Sequence, residues 1–250
     1  MTRRTRNRYF QCQKFRIEQG DSAMKVTTDA CALGAWAPLP TQGHLLDIGT
    51  GTGLLALFAA QRSPELIIDA VELDSAAAAQ ARANFGQSPF SERLQVIEQD
   101  IRQYRPDIRY DCILSNPPFF SDSTPNRCDR LSQARHDSHL PLADLVVSVS
   151  ELLASEGRAY LLLPCESQPR LRTLLEQNGL YLRHQLSLIS QPGDAPHRHI
   201  LTLARQPGDC EHETLTLYRA HPVHSREAGR LFYPFYTRLR CEDPRFERQH

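Results

Sequence analysis

Three glycines and three acids stand at spacings that suit a cationic cofactor. In LDIGTGTG (46–53), Gly49, Gly51 and Gly53 let the backbone turn tightly and let a ligand come close to it. The spacing is G-x-G-x-G, and Leu54 stands where a dinucleotide fold places its third glycine, so the usual pyrophosphate cradle is missing. Asp47 argues the same way: a carboxylate beside the loop repels a pyrophosphate and favours an ammonium or sulfonium group, directly or through water. Glu72 follows Gly53 by 19 residues at the end of an apolar run, where an acid can accept both hydroxyls of a ribose. Asp100 closes the next run and could take the exocyclic amine of an adenine, with Leu73 and Ile101 against the purine faces. A cation, a ribose and an adenine together describe S-adenosylmethionine. Each acid alone is as readily a solvated strand-end carboxylate; the constellation carries the reading.

NPPF (116–119) follows a fourth apolar run, YDCILS, and so falls beside the same ligand. Its two prolines remove two backbone donors and stiffen the loop, leaving carbonyls to face a substrate. An aromatic amine is a poor nucleophile because its lone pair is delocalised into the ring. Hydrogen bonds from that amine to the Asn116 side-chain oxygen and the Pro117 carbonyl would favour a tetrahedral nitrogen, and Phe119 could stack on the base. The gain would come from orientation and preorganised dipoles, with no titrating base.

The elements that must position these residues alternate. Apolar runs at 44–50, 66–74, 94–100, 110–118, 158–164, 180–189 and 197–205 are separated by helical patterns such as LLALFAAQR, SAAAAQARANF, LADLVVSVSELLAS and QPRLRTLLEQN, with Gly157 and Gly179 as helix stops. Continuously apolar runs suit strands covered on both faces. The expected fold is α/β, a doubly wound, mostly parallel seven-stranded sheet. Its last two strands leave no room for a crossover helix and must form an antiparallel hairpin. Three segments follow: 1–43, a loop and helix before the first strand; 44–205, the core; and 206–250, a strand and a helix broken at Pro234. Residues 120–139 read as a long polar loop, in which Arg127, Arg130 and Arg135 are candidates for phosphate contacts or base stacking.

Formal net charge is zero, so no global field draws in a polyanion, although Arg3, Arg4, Arg6 and Arg8 crowd the first eight positions. Seven widely spaced cysteines without a CxxC pair fit neither a disulfide framework nor a zinc knuckle, and Cys112, in an apolar run, should be a buried thiol. No metal, signal peptide or membrane span is expected, and a reducing cytoplasm is the natural home.

The core resembles the class I, Rossmann-like methyltransferases, and NPPF resembles their amino-methylating branch. FRIEQGDSAMKVTTDACALGAWAP (15–38), LLDIGTGTGLLAL (45–57), IIDAVELD (67–74), ILSNPPFF (113–120) and FYPFYTR (232–238) together resemble the bacterial tRNA1(Val) adenine-37 N6-methyltransferases over nearly the whole chain. The resemblance implies methylation of N6 of the adenine 3′ of the valine tRNA anticodon, with S-adenosylmethionine as donor and Lys25, Thr27 and Asp29 lining its amino-acid end. Thr27 and Asp29 equally suit a helix N-cap and a first-turn acid. The chain departs from some relatives in having Phe119 for Tyr and an Arg-rich arm. An anticodon loop suits such a site because its bases are already splayed. Release-factor glutamine and ribosomal-RNA guanine N2 methyltransferases share the NPPF chemistry. The former usually carry a helical domain where only 45 residues precede LDIGTGTG here, and many of the latter carry a duplicated domain. A DNA enzyme would need a target-recognition region. A non-catalytic RNA-binding or chaperone protein would have no need of Asn116.

Overall fold

A computed structural model describes residues 8–20, 25–117 and 140–248. In chain order the elements are β1 (Tyr9–Gln11), β2 (Arg16–Glu18), α1 (Thr28–Trp36), β3 (Gln42–Ile48), α2 (Leu54–Arg62), β4 (Glu65–Glu72), α3 (Ser75–Gly86), β5 (Leu94–Glu98) and β6 (Tyr110–Ser115). There follow α4 (Leu142–Leu152), β7 (Leu153–Pro164), α5 (Gln168–Gln177), β8 (Tyr181–Ile189), β9 (Arg198–Ala204), β10 (Glu211–Thr216), β11 (Tyr218–Ala220), β12 (Val223–His224) and α6 (Arg226–Phe232).

The main sheet runs β10-β8-β9-β7-β6-β3-β4-β5. β3 to β7 pair in parallel, and β9 alone runs against its neighbours β7 and β8, which is the expected hairpin. The doubly wound character shows in the alternation of side chains. Along β7, Tyr160 and Leu162 face the core beneath α1, α2 and α6, while Ala159, Leu161 and Leu163 face the one beneath α4 and α5. Burial on both faces is why these strands read as unbroken apolar runs.

Two expectations are corrected. The sheet has eight strands rather than seven, because Glu211–Thr216 joins its edge in parallel with β8. Only Leu215 of this strand is buried, so its sequence carries almost no apolar signal. Gly157 does not stop a helix: α4 ends at Leu152, and Gly157 lies inside β7, where a Cβ would come within 2.8 Å of the Tyr110 carbonyl oxygen. Gly179, with φ +65°, does follow α5 in the left-handed conformation. Pro234 lies just past the end of α6, as its ring requires. Cys112 is fully buried, and the six described cysteines, all but Cys128, are free thiols.

α1 and α6 bring the chain ends onto one face of the sheet. Phe235 stacks on Phe58 of α2 with ring centroids 4.0 Å apart, and the Gln13 amide donates to the Phe235 carbonyl. This aromatic layer holds the start of α1 against the carboxyl edge of the sheet, where the acids and glycines of the motif lie.

Candidate active site

β3, β4 and β6 end together. Ile48 pairs with Val71 on one side and Ser115 on the other, so Gly49, Glu72 and Asn116 occupy three adjacent strand ends. The Ser115 hydroxyl donates to the Ile48 carbonyl at 2.9 Å and locks the last residue of β6 to the last of β3. Asn116 is half-buried and Pro117 buried at this edge. Pro118 and Phe119, like Arg127, Arg130 and Arg135 and the arginines before Arg8, lie outside the described residues.

The glycine loop turns its amides inward. Gly49 and Thr50 N–H donate to the Val71 carbonyl, Gly51 N–H donates to Glu72 Oε2 at 2.8 Å, and Gly53 N–H donates to the Thr50 carbonyl. With these donors satisfied by the protein, the loop forms no anion nest, which agrees with the missing third glycine. Gly49 and Gly51 have φ +68° and +58°, and a Cβ on either would meet nothing within 4 Å among the described residues, which leaves room beside their backbone. Gly53 has a different reason to be glycine: at φ +88° its Cβ would stand 2.4 Å from Phe85 Cε1. Two glycines thus leave room for a ligand, and the third lets α3 pack close.

Asp47 lies beneath the loop with no exposure. Its Oδ2 accepts from the Thr50 hydroxyl at 2.6 Å and the Ala56 amide at 3.2 Å, while Oδ1 is buried without a hydrogen-bond partner among the described residues. Burial pushes its carboxyl up to about 7 from 3.8, against the Thr50 and Ala56 hydrogen bonds and with help from the Glu72 charge. Because the folded protein binds this proton more tightly than the unfolded chain, the resulting stability is full below the ordinary value and is lost as pH rises through about 7. The melting temperature of the ligand-free protein should therefore fall by on the order of 5 °C between about pH 5 and 8, and Asp47→Asn should flatten that slope. An equal slope in the variant would contradict the assignment to Asp47.

Glu72 is half-buried, and its second oxygen accepts from the Asp74 amide at 2.9 Å. Each carboxylate oxygen therefore has one protein donor and a further lone pair. Asp100 is more fully engaged. Its oxygens accept from the Arg102 amide and guanidinium, with three contacts at 2.9 Å, and these bonds hold its carboxyl below the usual range. Ile101 is buried in the core below α4, whereas Leu73 is 42% exposed at the strand end and keeps a free face.

The segment before β3 is tied down by its own bonds. The Lys25 ammonium donates to the Gln19 and Gly20 carbonyls. The Thr27 hydroxyl caps α1 by accepting from the Ala30 amide at 3.2 Å. Asp29 sits between His197 and Arg198, each at 3.1 Å, at the start of β9, so its charge is already balanced.

One supporting residue was invisible as a motif. Asn84 of α3, 1% exposed, donates to the carbonyls of Thr52 and Glu18 and accepts from the Glu18 amide. It clamps the glycine loop to β2. Its only signal in the sequence is an amide on the buried Ala78–Ala81 stripe of an Ala-rich helix.

Such a sheet, with an open glycine loop beside an Asn-Pro strand end, defines a class I methyltransferase. A model of the small methyltransferase domain matches residues 30–134. A predicted O-methyltransferase of Agrobacterium tumefaciens superposes with a TM-score of 0.63 at 18% identity, covering 86% of this chain and 99% of that one, a likeness of fold. The chain belongs to the tRNA1(Val) (adenine-37-N6)-methyltransferase family. It is 38% identical over 235 residues to the family's Bacteroides thetaiotaomicron protein, covering 94% of this chain and 99% of that one. It is 40% identical to the Tolumonas auensis protein, covering 92% and 97%.

Proposed function

We propose that this protein transfers the methyl group of S-adenosylmethionine to N6 of adenine 37 in the anticodon loop of tRNA1(Val). The observation that carries the reading is the register of Ile48 with Ser115, which sets the Asn116-Pro117 end of β6 beside the open glycine loop of β3. The names of the relatives supply the particular base and RNA.

The residues fit the cofactor. Open space borders Gly49 and Gly51, the loop amides are turned away from any anion, and the unpartnered Asp47 Oδ1 suits an ammonium held directly or through water. Bound there, S-adenosylmethionine supplies an electrophilic methyl group on a sulfonium. Glu72 offers its remaining lone pairs to the ribose, and Leu73 its free face to the adenine. Asp100 can take the adenine amine only by sharing oxygens already bonded to Arg102. Ile101 contributes as a floor beneath the purine. Lys25, Thr27 and Asp29 border the amino-acid end, with Asp29 the weakest contributor because Arg198 already pairs with it and His197 lies against its other oxygen.

Asn116 Oδ1 and the Pro117 carbonyl accept hydrogen bonds from the target amine and hold it tetrahedral, which frees its lone pair. Phe119 stacks on the base, and Arg127, Arg130 and Arg135 contact the RNA. No helix among the described residues is long and apolar enough to cross a membrane, and none of their acids, histidines and cysteines form a metal-binding group. The test is incubation with labelled S-adenosylmethionine and total tRNA lacking the modification. Label in 6-methyladenosine of valine tRNA is expected, and label only in release factor or ribosomal RNA would overturn the reading.

A further inference from the structure

The chain after α6 builds a second feature that the methyl-transfer chemistry does not use. A groove of about 770 Å³ is lined by Pro222, His224, Tyr236, Arg238, Arg240 and Arg248, with Glu247 as the one acid among its described lining residues. The backbone under these arginines is fixed. Leu239 and Arg248 exchange two N–H···O bonds of 2.8 Å, and the His224 amide donates to the Arg240 carbonyl at 2.8 Å. The Arg248 guanidinium carbon lies 4.3 Å over the Tyr233 ring.

The charges in this segment are sorted. Asp243 is taken by Arg226 and Arg245, and Glu242 lies 3.9 Å from Arg219. Arg238 and Arg240 are exposed and have no acidic partner within ion-pair distance among the described residues. The chain as a whole is neutral, so this local excess is the electrostatic feature a polyanion would meet here. Guanidinium groups on a fixed backbone suit bidentate contact with phosphate.

The groove also connects to the site. His224 stacks on Tyr218 at 4.4 Å, and the Tyr218 hydroxyl lies 2.9 Å from Thr28 Oγ1 at the first residue of α1. The Tyr218 amide donates to the Ser190 carbonyl, just past the end of β8, so this contact chain reaches the carboxyl edge that carries the glycine loop.

We propose that the Arg238–Arg240–Arg248 groove binds the sugar–phosphate backbone of the substrate RNA away from the target base. The proposal rests on the reading of the substrate as tRNA. The experiment measures binding of an unmodified valine tRNA transcript to wild type and Arg238→Ala/Arg240→Ala by fluorescence anisotropy across a salt series. Kd should rise about tenfold or more in the double variant, and the slope of log K against log salt should shrink by about 1.4 to 1.8, the loss of two phosphate contacts. S-adenosylmethionine affinity, melting temperature and kcat at saturating RNA should stay near wild type, and Arg238→Lys/Arg240→Lys should keep the slope. An unchanged Kd and slope in the alanine variant would overturn the groove. A wild type that binds the transcript without methylating it would sink the substrate reading and leave the salt slope to judge the groove. A wild type that does not bind the transcript would overturn both.

Discussion

Asn116→Ala should lower kcat by about 10²- to 10³-fold while leaving S-adenosylmethionine affinity within about twofold of wild type. The expectation follows from position. Asn116 is the first residue past β6, anchored through Ser115 to Ile48, and its neighbour Pro117 is buried, so the amide is held beside the loop. In the proposed role the side-chain oxygen is an acceptor that gains importance as the amine becomes tetrahedral. Removing it costs the transition state more than the ground state, which lowers kcat more than it raises KM. Asn116→Asp retains an acceptor oxygen but brings a charge, and should recover part of the loss. Near-normal turnover in the alanine variant would mean that lone-pair activation does not depend on this residue.

The second large effect is expected at Glu72. Glu72→Ala should weaken S-adenosylmethionine binding by roughly 10- to 100-fold, the range for losing hydrogen bonds to a charged acceptor. Two losses combine. The ribose loses its acceptor, and the Gly51 amide, now held at 2.8 Å by Glu72 Oε2, loses the bond that shapes the loop. Glu72→Gln keeps one acceptor for Gly51 and should fall between the two. Binding measured by calorimetry separates these effects from turnover, and an unchanged Kd in Glu72→Ala would reject the ribose role.

What could be read in the sequence was what is local. The glycine loop, Asp47 and the Asn116-Pro117 pair lie within short stretches, and alternating apolar runs set the strand ends that gather them. Sheet order then follows from parallel pairing and short connections, so Gly49, Glu72 and Asn116 meet without needing a distant signal. The misses are non-local or carry little apolar pattern. A strand is legible after residue 206, but β10 is an edge strand with one buried residue, and nothing in EHETLT says that it joins the main sheet. Gly157 looked like a helix stop because the apolar run of α4 passes into β7 without a break, whereas its real constraint is the Tyr110 carbonyl on the neighbouring strand. Asn84 answers Glu18 across 66 residues, and Asp29 answers His197 across 168. At Asp100 the sequence shows both the acid and Arg102 two residues on, but only the structure shows that Arg102 already bonds both carboxylate oxygens.

The position of the methyl group tests the central claim most directly. Valine tRNA transcript would be incubated with the protein and S-adenosylmethionine, digested to oligonucleotides and analysed by mass spectrometry. The account predicts one added methyl, on N6 of adenine 37, and none on a transcript carrying guanine at that position. A methyl group at another nucleotide, or equal methylation of the guanine transcript, would contradict it.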